Sequence, residues 1–372
     1  MCAHPIWSSS IYSQRETRKK LAWHTPSCSC ALIAVSDEGC KDETCALKGD
    51  DALKKIIFFN PFGPDVVSGG IKVTYQHAGI LAKQGYEVLV YQPAGRPTWL
   101  DVSSRITVSD RFSPEDAALV VFPETLSEGM LDYVRIPTPA TKIIFCQNQF
   151  YLYSYGLSGQ TLAELGFSHF IVPGRETARS LTSMLGVGNV HIIPNSVDSG
   201  LFYPRQKRLC IATNPAKWPA EGTNSAMAQL LKTMLHLKYP HTAEVPWIAL
   251  TNMSQRDVAD VMGMAPIFVA LSRQEAFPLT PLEAMASRCA LVGLRGTGGK
   301  DYATDLNGHW FSPEQCEEIV DSIAYLIDGL SRGEPRIDRM LDEAEKTAKQ
   351  YSINATYQAV VRVYGDILAQ SG

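Results

Sequence analysis

The sequence predicts two α/β domains, each a doubly wound parallel sheet, and three observations carry that prediction. From residue 55 onward, short apolar and β-branched runs alternate with helical patterns, as in sheets covered on both faces. Glycine turns, Gly69-Gly70 and Gly296-Thr297-Gly298-Gly299, stand where strands run out. The 372 residues exceed one ordinary core and suit two domains of about 150 residues each.

Composition narrows the class. Hydrophobic content of 45% with 19% charged residues describes a globular chain, not a disordered one. A net charge of -4 gives no general attraction to nucleic acid. No apolar run reaches the roughly 18 residues that span a bilayer. Residues 1–52 differ from the rest. Arg15, Arg18, Lys19 and Lys20 precede Leu21 to Val35, but His24, Thr25, Pro26, Ser27 and Ser29 break that apolar stretch, so a poorly ordered extension is expected instead of a signal peptide. Five of the nine cysteines lie there, and Cys28-Ser-Cys30 with Cys40 and Cys45 fits no regular zinc spacing. Cys146, Cys210 and Cys289 sit in apolar contexts as small core residues, which favours a reducing, cytoplasmic setting.

Residues 53–203 form the expected first domain. Lys55 to Asn60 is a buried strand, followed by Ser68-Gly69-Gly70, a helical pattern through Val73, His77, Ile80 and Leu81, and a second strand, Glu87 to Tyr91. That order is a βαβ unit whose glycines let a ligand approach the backbone. His77 falls inside the helix and reads as a packing residue more than a base. Strands follow at Ala117–Phe122, which ends in Pro123-Glu124, and at Lys142–Cys146, which ends in Gln147-Asn148. Amides just past a buried strand face a cleft in such sheets, so Asn148 and Gln147 are site candidates as well as plain turn formers. Tyr151, Tyr153 and Tyr155 would line an acceptor groove or cover a surface. A strand from Phe170, a helix from Arg175 to Leu185 and a strand at Val190–Ile193 complete the domain.

Residues 204–350 form the expected second domain. Leu209–Thr213 is its first strand, and Asn214-Pro215-Ala216-Lys217 leads toward a helix ending near Leu237. Trp247–Leu250 is a strand, Thr251-Asn252-Met253 a loop, and Ser254 caps the next helix. Met264–Leu271 and Ala290–Leu294 are buried strands flanking a turn that holds Glu275 and Glu283. Thr280-Pro281-Leu282-Glu283 reads as a capping box with proline at the first helical position. Two carboxylates eight residues apart, at a strand's carboxyl end and beside free helix-start amides, suit a ligand with hydroxyls and an anionic group. Taken alone, Glu283 is more often a cap residue and Glu275 a solvated charge. Residues 313–331 and 337–370 are helical by period, and the final stretch, 351–372, is expected to cross back onto the first domain.

The stretch Glu275-Ala-Phe-Pro-Leu-Thr-Pro-Leu-Glu283 resembles the Glu-x7-Glu signature of GT-B glycosyltransferases, above all the retaining family 4 group. Gly298-Gly299-Lys300-Asp301, Asn307-Gly308 and the hinge-side Pro194-Asn195-Ser196-Val197-Asp198 with Phe202 are similar to further turns of that family, so the likeness spans most of residues 55–365. It implies two Rossmann-like domains facing a cleft and transfer of a sugar from a nucleoside-diphosphate donor to a hydroxyl of a glycan or glycoconjugate. Carried over residue by residue, Glu275, Asn148 and Lys217 would serve catalysis. Gly69, Gly70, Lys217, Arg273, Glu275, Phe277, Pro278, Leu279, Thr280, Glu283 and Asn252 would hold the donor. The family's usual arginine before that lysine is missing, since Ala212 or Ala216 stands there, and Arg273 or Arg295 would have to reach the same charge. No Asp-x-Asp triplet occurs, so neither a metal nor another cofactor is expected, and leaving-group charge falls to Lys217 and helix-start amides. Peripheral membrane contact and oligomeric state stay open. A sugar-nucleotide epimerase or phosphorylase on the same fold, and an inactive binding module, remain as alternatives, whereas a glycosidase pair fits the spacing poorly.

Overall fold

The computed structural model describes residues 54–214 and 225–370, so the reading of residues 1–52 lies outside the described residues. In the first half of the described chain, β1 (Lys55–Phe59), α1 (Gly69–Lys83), β2 (Glu87–Tyr91), β3 (Thr107–Ser109), β4 (Leu119–Pro123), α2 (Glu128–Val134), β5 (Thr141–Phe145), α3 (Gln149–Ser154), α4 (Gly159–Glu164), β6 (Phe167–Val172), α5 (Arg175–Leu185) and β7 (Val190–Ile192) succeed one another. The second half runs β8 (Ile211–Thr213), α6 (Ser225–Lys238), β9 (Trp247–Ala249), α7 (Gln255–Met264), β10 (Ile267–Ala270), α8 (Leu279–Ala286), β11 (Ala290–Leu294), β12 (His309–Phe311), α9 (Cys316–Arg332), α10 (Pro335–Gln350) and α11 (Ile353–Gln370).

Two parallel sheets result, as predicted. The seven-stranded one has the order β3-β2-β1-β4-β5-β6-β7 and the five-stranded one the order β12-β11-β10-β8-β9. Both have buried central strands: Ile56 to Phe59 in β1 and all four residues of β10 are buried. The short edge strands β3 and β12 carry mixed burial and no apolar run, and sequence periodicity gives no sign of them.

The chain crosses between the sheets twice, and the two crossings pair. Val197 N–H donates to the Tyr351 carbonyl at 2.8 Å and Val197 bridges Ser352 in parallel. The crossing near residue 351 corrects the expectation of one helix over 337–370: α10 ends at Gln350 and α11 starts at Ile353, because Tyr351 and Ser352 give their backbone to Val197. Helix α11 then returns to the first sheet. Tyr364 is fully buried, with its ring centroid 6.1 Å from that of Phe58, and Val360, Val363 and Ile367 join the core that holds Ile56 and Leu81. The linker into the second half is anchored by Lys207, whose ammonium donates to the carbonyls of Ala265 (2.9 Å) and Ser287 (2.6 Å) at the ends of α7 and α8, where cations are favoured.

A second correction concerns the start of α8. The helix opens at Leu279 after Pro278, with no side-chain cap, so Thr280 is its second residue and no Thr280–Glu283 capping box forms. Two contacts fix this earlier entrance. The Pro278 carbonyl accepts from the Tyr302 hydroxyl at 2.6 Å, and Phe277 packs against Tyr302 and Tyr351 at ring distances of 5.7 and 5.4 Å. Pro281 costs nothing there, since first-turn amides have no intrahelical partner.

Candidate functional site

Three strand ends and one helix start of the first sheet face one loop of the second. On the first side, Ser68 caps α1 by accepting from Gly70 N–H at 3.2 Å, which leaves the helix start exposed at Gly69. A Cβ on Gly69 would meet nothing within 4 Å, so the backbone there is open to a ligand. Gln147 and Asn148 follow β5, and Asn148 caps α3 through the Phe150 amide at 3.1 Å. Asn195 arrives from the hinge, 7% exposed, with its amide nitrogen 3.5 Å from Gln147 Oε1. Together with Glu275, Phe277 and Leu279 from the second half, these groups line a cleft of about 410 Å3.

The second wall is templated by backbone. Gly298 N–H donates to the Glu275 carbonyl at 2.9 Å and Thr297 N–H to that of Arg273 at 3.1 Å, so the glycine loop lies directly on residues 273–276. A Cβ on Gly298 would sit 1.7 Å from the Ala276 oxygen, and Gly293, at φ +131°, would place one 2.2 Å from the Ala270 oxygen. Glycine is therefore required at both positions. Ser272 Oγ donates to Glu275 Oε1 at 3.3 Å, which holds the carboxylate over the cleft.

Next to Ala276 of the cleft wall the two halves touch. Asp301, from the glycine loop, accepts from Glu176 N–H at 3.1 Å through Oδ1, and Arg175 donates to its carbonyl at 3.2 Å. It thus caps α5, whose own cap position is Gly174 and supplies no side chain. Burial pushes the Asp301 carboxyl above the usual carboxylate range. Its Oδ2 is buried with no hydrogen-bond partner among the described residues. Thr177 Oγ1 lies 3.4 Å from the Ala276 carbonyl in the same contact.

Of the residues nominated from sequence, Gly69, Gly70, Asn148, Glu275, Phe277 and Leu279 share this cleft. Arg273 is exposed just before it, Pro278 and Thr280 are buried behind it, and Glu283 is half-buried in the first turns of α8. Asn252 stands exposed in the loop between β9 and α7, at φ +55°. Lys217 lies outside the described residues. His77 is a packing residue: it is fully buried against Phe145 at 4.7 Å, and burial holds its imidazole neutral with a pKa near 3.

Glu124 is the group that sequence reasoning passed over. It follows β4, is 5% exposed, and accepts the Asn148 N–H at 2.9 Å. Burial pushes its carboxyl up to about 7, against the opposing pull of the amides of Glu124, Gln147 and Asn148. The only sequence signal was an acid directly after an apolar strand, at Pro123-Glu124. Asn195, quoted above for its motif alone, also reaches the cleft.

Comparison with known proteins agrees with this geometry. Residues 235–349 match the family described as glycosyl transferases group 1. Over 266 residues the chain is 29% identical to an alpha-1,6-glucosyltransferase of Actinobacillus pleuropneumoniae serotype 7, spanning 69% of this chain and 76% of that one. Among solved structures, sucrose-phosphate synthase of Thermosynechococcus elongatus superposes with a TM-score of 0.64 at 13% identity, covering 85% of this chain and all of that one. Anabaena HepE in complex with UDP-glucose gives 0.58 at 11% identity, covering 84% and 99%. At these identities the superpositions establish the shared GT-B fold.

Proposed function

We propose, from the premise that this chain is a nucleotide-sugar-dependent glycosyltransferase of the GT-B fold, that its donor is UDP-glucose and its acceptor a sugar hydroxyl of a glycan or glycoconjugate. The observation that carries the reading is the cleft itself, where the open start of α1 and the Glu275 loop face each other. The amides at Gly69 and Gly70, at the positive end of a 15-residue helix, suit the donor diphosphate. Lys217 supplies positive charge against the negative charge that the diphosphate gains as it leaves, a role taken from its place in the sequence. Glu275 holds hydroxyls of the transferred glucose, and Asn148 steadies the same ring from the facing wall. Glu283, Thr280 and Asn252 serve the nucleoside, with Arg273 at the rim. In the reaction the acceptor oxygen bonds to the anomeric carbon and the bond from that carbon to the diphosphate breaks. UDP takes the electron pair and the acceptor loses its proton. Retention of configuration, with the departing phosphate receiving that proton, is the course proposed by family resemblance.

The relative named as a glucosyltransferase favours glucose, and the complex of HepE favours uridine. A thermal-shift series with UDP, GDP, ADP and TDP tests the base. UDP at a hundredfold excess over its Kd is expected to stabilise the protein by about 2.7 kcal/mol. A larger shift with another diphosphate would replace uridine in this reading, and no shift with any of them would remove the donor site.

A further inference from the structure

Adjoining the cleft, the first domain holds a smaller cavity, of about 260 Å3, whose polar side chains the donor roles above leave unused. It lies between the ends of β1 and β4 and under the Phe62–Gly70 loop, entirely within the first domain. Its walls combine aromatic rings, from Phe59, Phe62 and Phe122, with polar groups that include Glu124, Thr125 and Gln147. Three of these are notable. Glu124 presents a carboxylate that is 5% exposed, and Gln147 Nε2 and Thr125 Oγ1 are buried with no hydrogen-bond partner among the described residues. Buried polar atoms without partners cost about 1–3 kcal/mol each, so a site that keeps two of them beside a buried carboxylate is built for a polar guest. An acceptor, a donor and a hydroxyl in a cavity that also carries aromatic rings match a pyranose ring: hydroxyls at its edge, C–H groups on its faces. The volume falls below the roughly 300–1,000 Å3 of sites for larger ligands, which fits one ring and excludes a nucleotide.

We propose that this cavity is the subsite for a single hexose ring of the acceptor, with Glu124 accepting the hydrogen bond of an acceptor hydroxyl and Gln147 and Thr125 completing the set. Glu124 and Gln147 also line the cleft above, so a ring seated here presents its outer hydroxyl to the donor held over Gly69 and Glu275. The inference rests on the donor reading, and it assigns the acceptor's side to residues that reading does not use.

The test uses the full chain, with UDP and free glucose as probes. Saturation-transfer NMR is expected to show glucose bound to the protein when UDP is present. Glu124→Gln is expected to weaken glucose by about tenfold or more, the size of a lost charged hydrogen bond, and to leave UDP affinity unchanged. Glutamine still offers an oxygen to the Asn148 amide, so a purely structural role for Glu124 would leave glucose binding intact. Thr125→Val provides a second variant with the same shape and is expected to weaken glucose without altering UDP. Wild-type protein that ignores glucose while holding UDP, or a Glu124→Gln variant that binds it equally well, would overturn the subsite. Failure of UDP itself to bind would overturn the donor reading, and the subsite with it.

Discussion

The two walls of the cleft are built on opposite principles. The second-half wall is a loop between consecutive elements, β10 and α8, held in place by backbone hydrogen bonds from the adjacent glycine loop and by glycines that leave no room for a side chain. The first-half wall is a convergence: Gly69, Glu124, Gln147 and Asn195 come from four places spread over 127 residues of sequence, and its polar side chains are buried and incompletely partnered. One wall is fixed by its own backbone hydrogen bonds. The other keeps unsatisfied and energetically costly groups, as binding sites do. Substitutions at the glycines of the second wall should therefore act through folding, and those at the polar groups of the first wall through function.

The largest effect is expected at Gly298. An alanine there would drive its Cβ against the Ala276 oxygen, and both atoms belong to backbone that is already pinned, so Gly298→Ala should cost about 4 kcal/mol or more. The midpoint of urea unfolding measures this. A loss under 1 kcal/mol would show that the wall yields.

Next comes Glu124, with the opposite sign. Its carboxyl has a pKa near 7 in the folded protein against a usual 4.5, so the native state binds the additional proton between those values. Stability contributed by this group is present at low pH and is lost as pH rises from about 4.5 to 7. Glu124→Gln mimics the protonated form, and above pH 7 it should be more stable than wild type by about 3 kcal/mol, converging with it near pH 4. Thermal unfolding at pH 4 and pH 8 checks the crossover, and an equal difference at both would refute the buried-carboxyl explanation. A variant that gains stability while losing acceptor binding would mark the first wall as functional.

These two residues also show what the sequence disclosed. The Glu275 wall was legible because its parts are neighbours in the chain: two apolar strands, a proline-containing helix start and a glycine loop within forty residues. Glu124 was not, because an acid after a strand is ordinarily solvated. What buries it comes from β5 and its following turn, more than twenty residues away, and no local pattern reports that. The same limit explains the remaining misses. β3 and β12 are three-residue edges without an apolar run, and the break at Tyr351-Ser352 carries neither glycine nor proline and is set by pairing with Val197. The Thr280-x-x-Glu283 spacing was locally sound as a capping box, yet Tyr302 and Phe277 start the helix two residues sooner.

A smaller effect is expected where the walls meet. Asp301→Ala removes the cap that the second half lends to α5 and should cost about 1 kcal/mol, with lowered cooperativity if the halves then separate before unfolding. Calorimetry would show a broadened transition; an unchanged one would mean the contact adds no coupling. Smallest of all in stability is Gly69→Ala, which meets open space and should change unfolding by under about 0.5 kcal/mol in either direction. Its methyl group would nevertheless stand over the amides proposed for the diphosphate, so UDP affinity should fall. Titration calorimetry reads this directly, and retained affinity would move the diphosphate away from α1.

The central claim is that donor chemistry takes place between these walls, with Glu275 acting on the transferred sugar. The most direct measurement follows UDP-glucose by proton NMR in the presence of wild-type protein and Glu275→Gln. Wild type should consume the donor and release UDP, slowly with water alone and faster with a sugar acceptor, while Glu275→Gln should lose about tenfold or more in turnover with UDP affinity retained. UDP-glucose left intact by a wild-type protein that also fails to bind UDP, or turnover by Glu275→Gln equal to wild type, would contradict it.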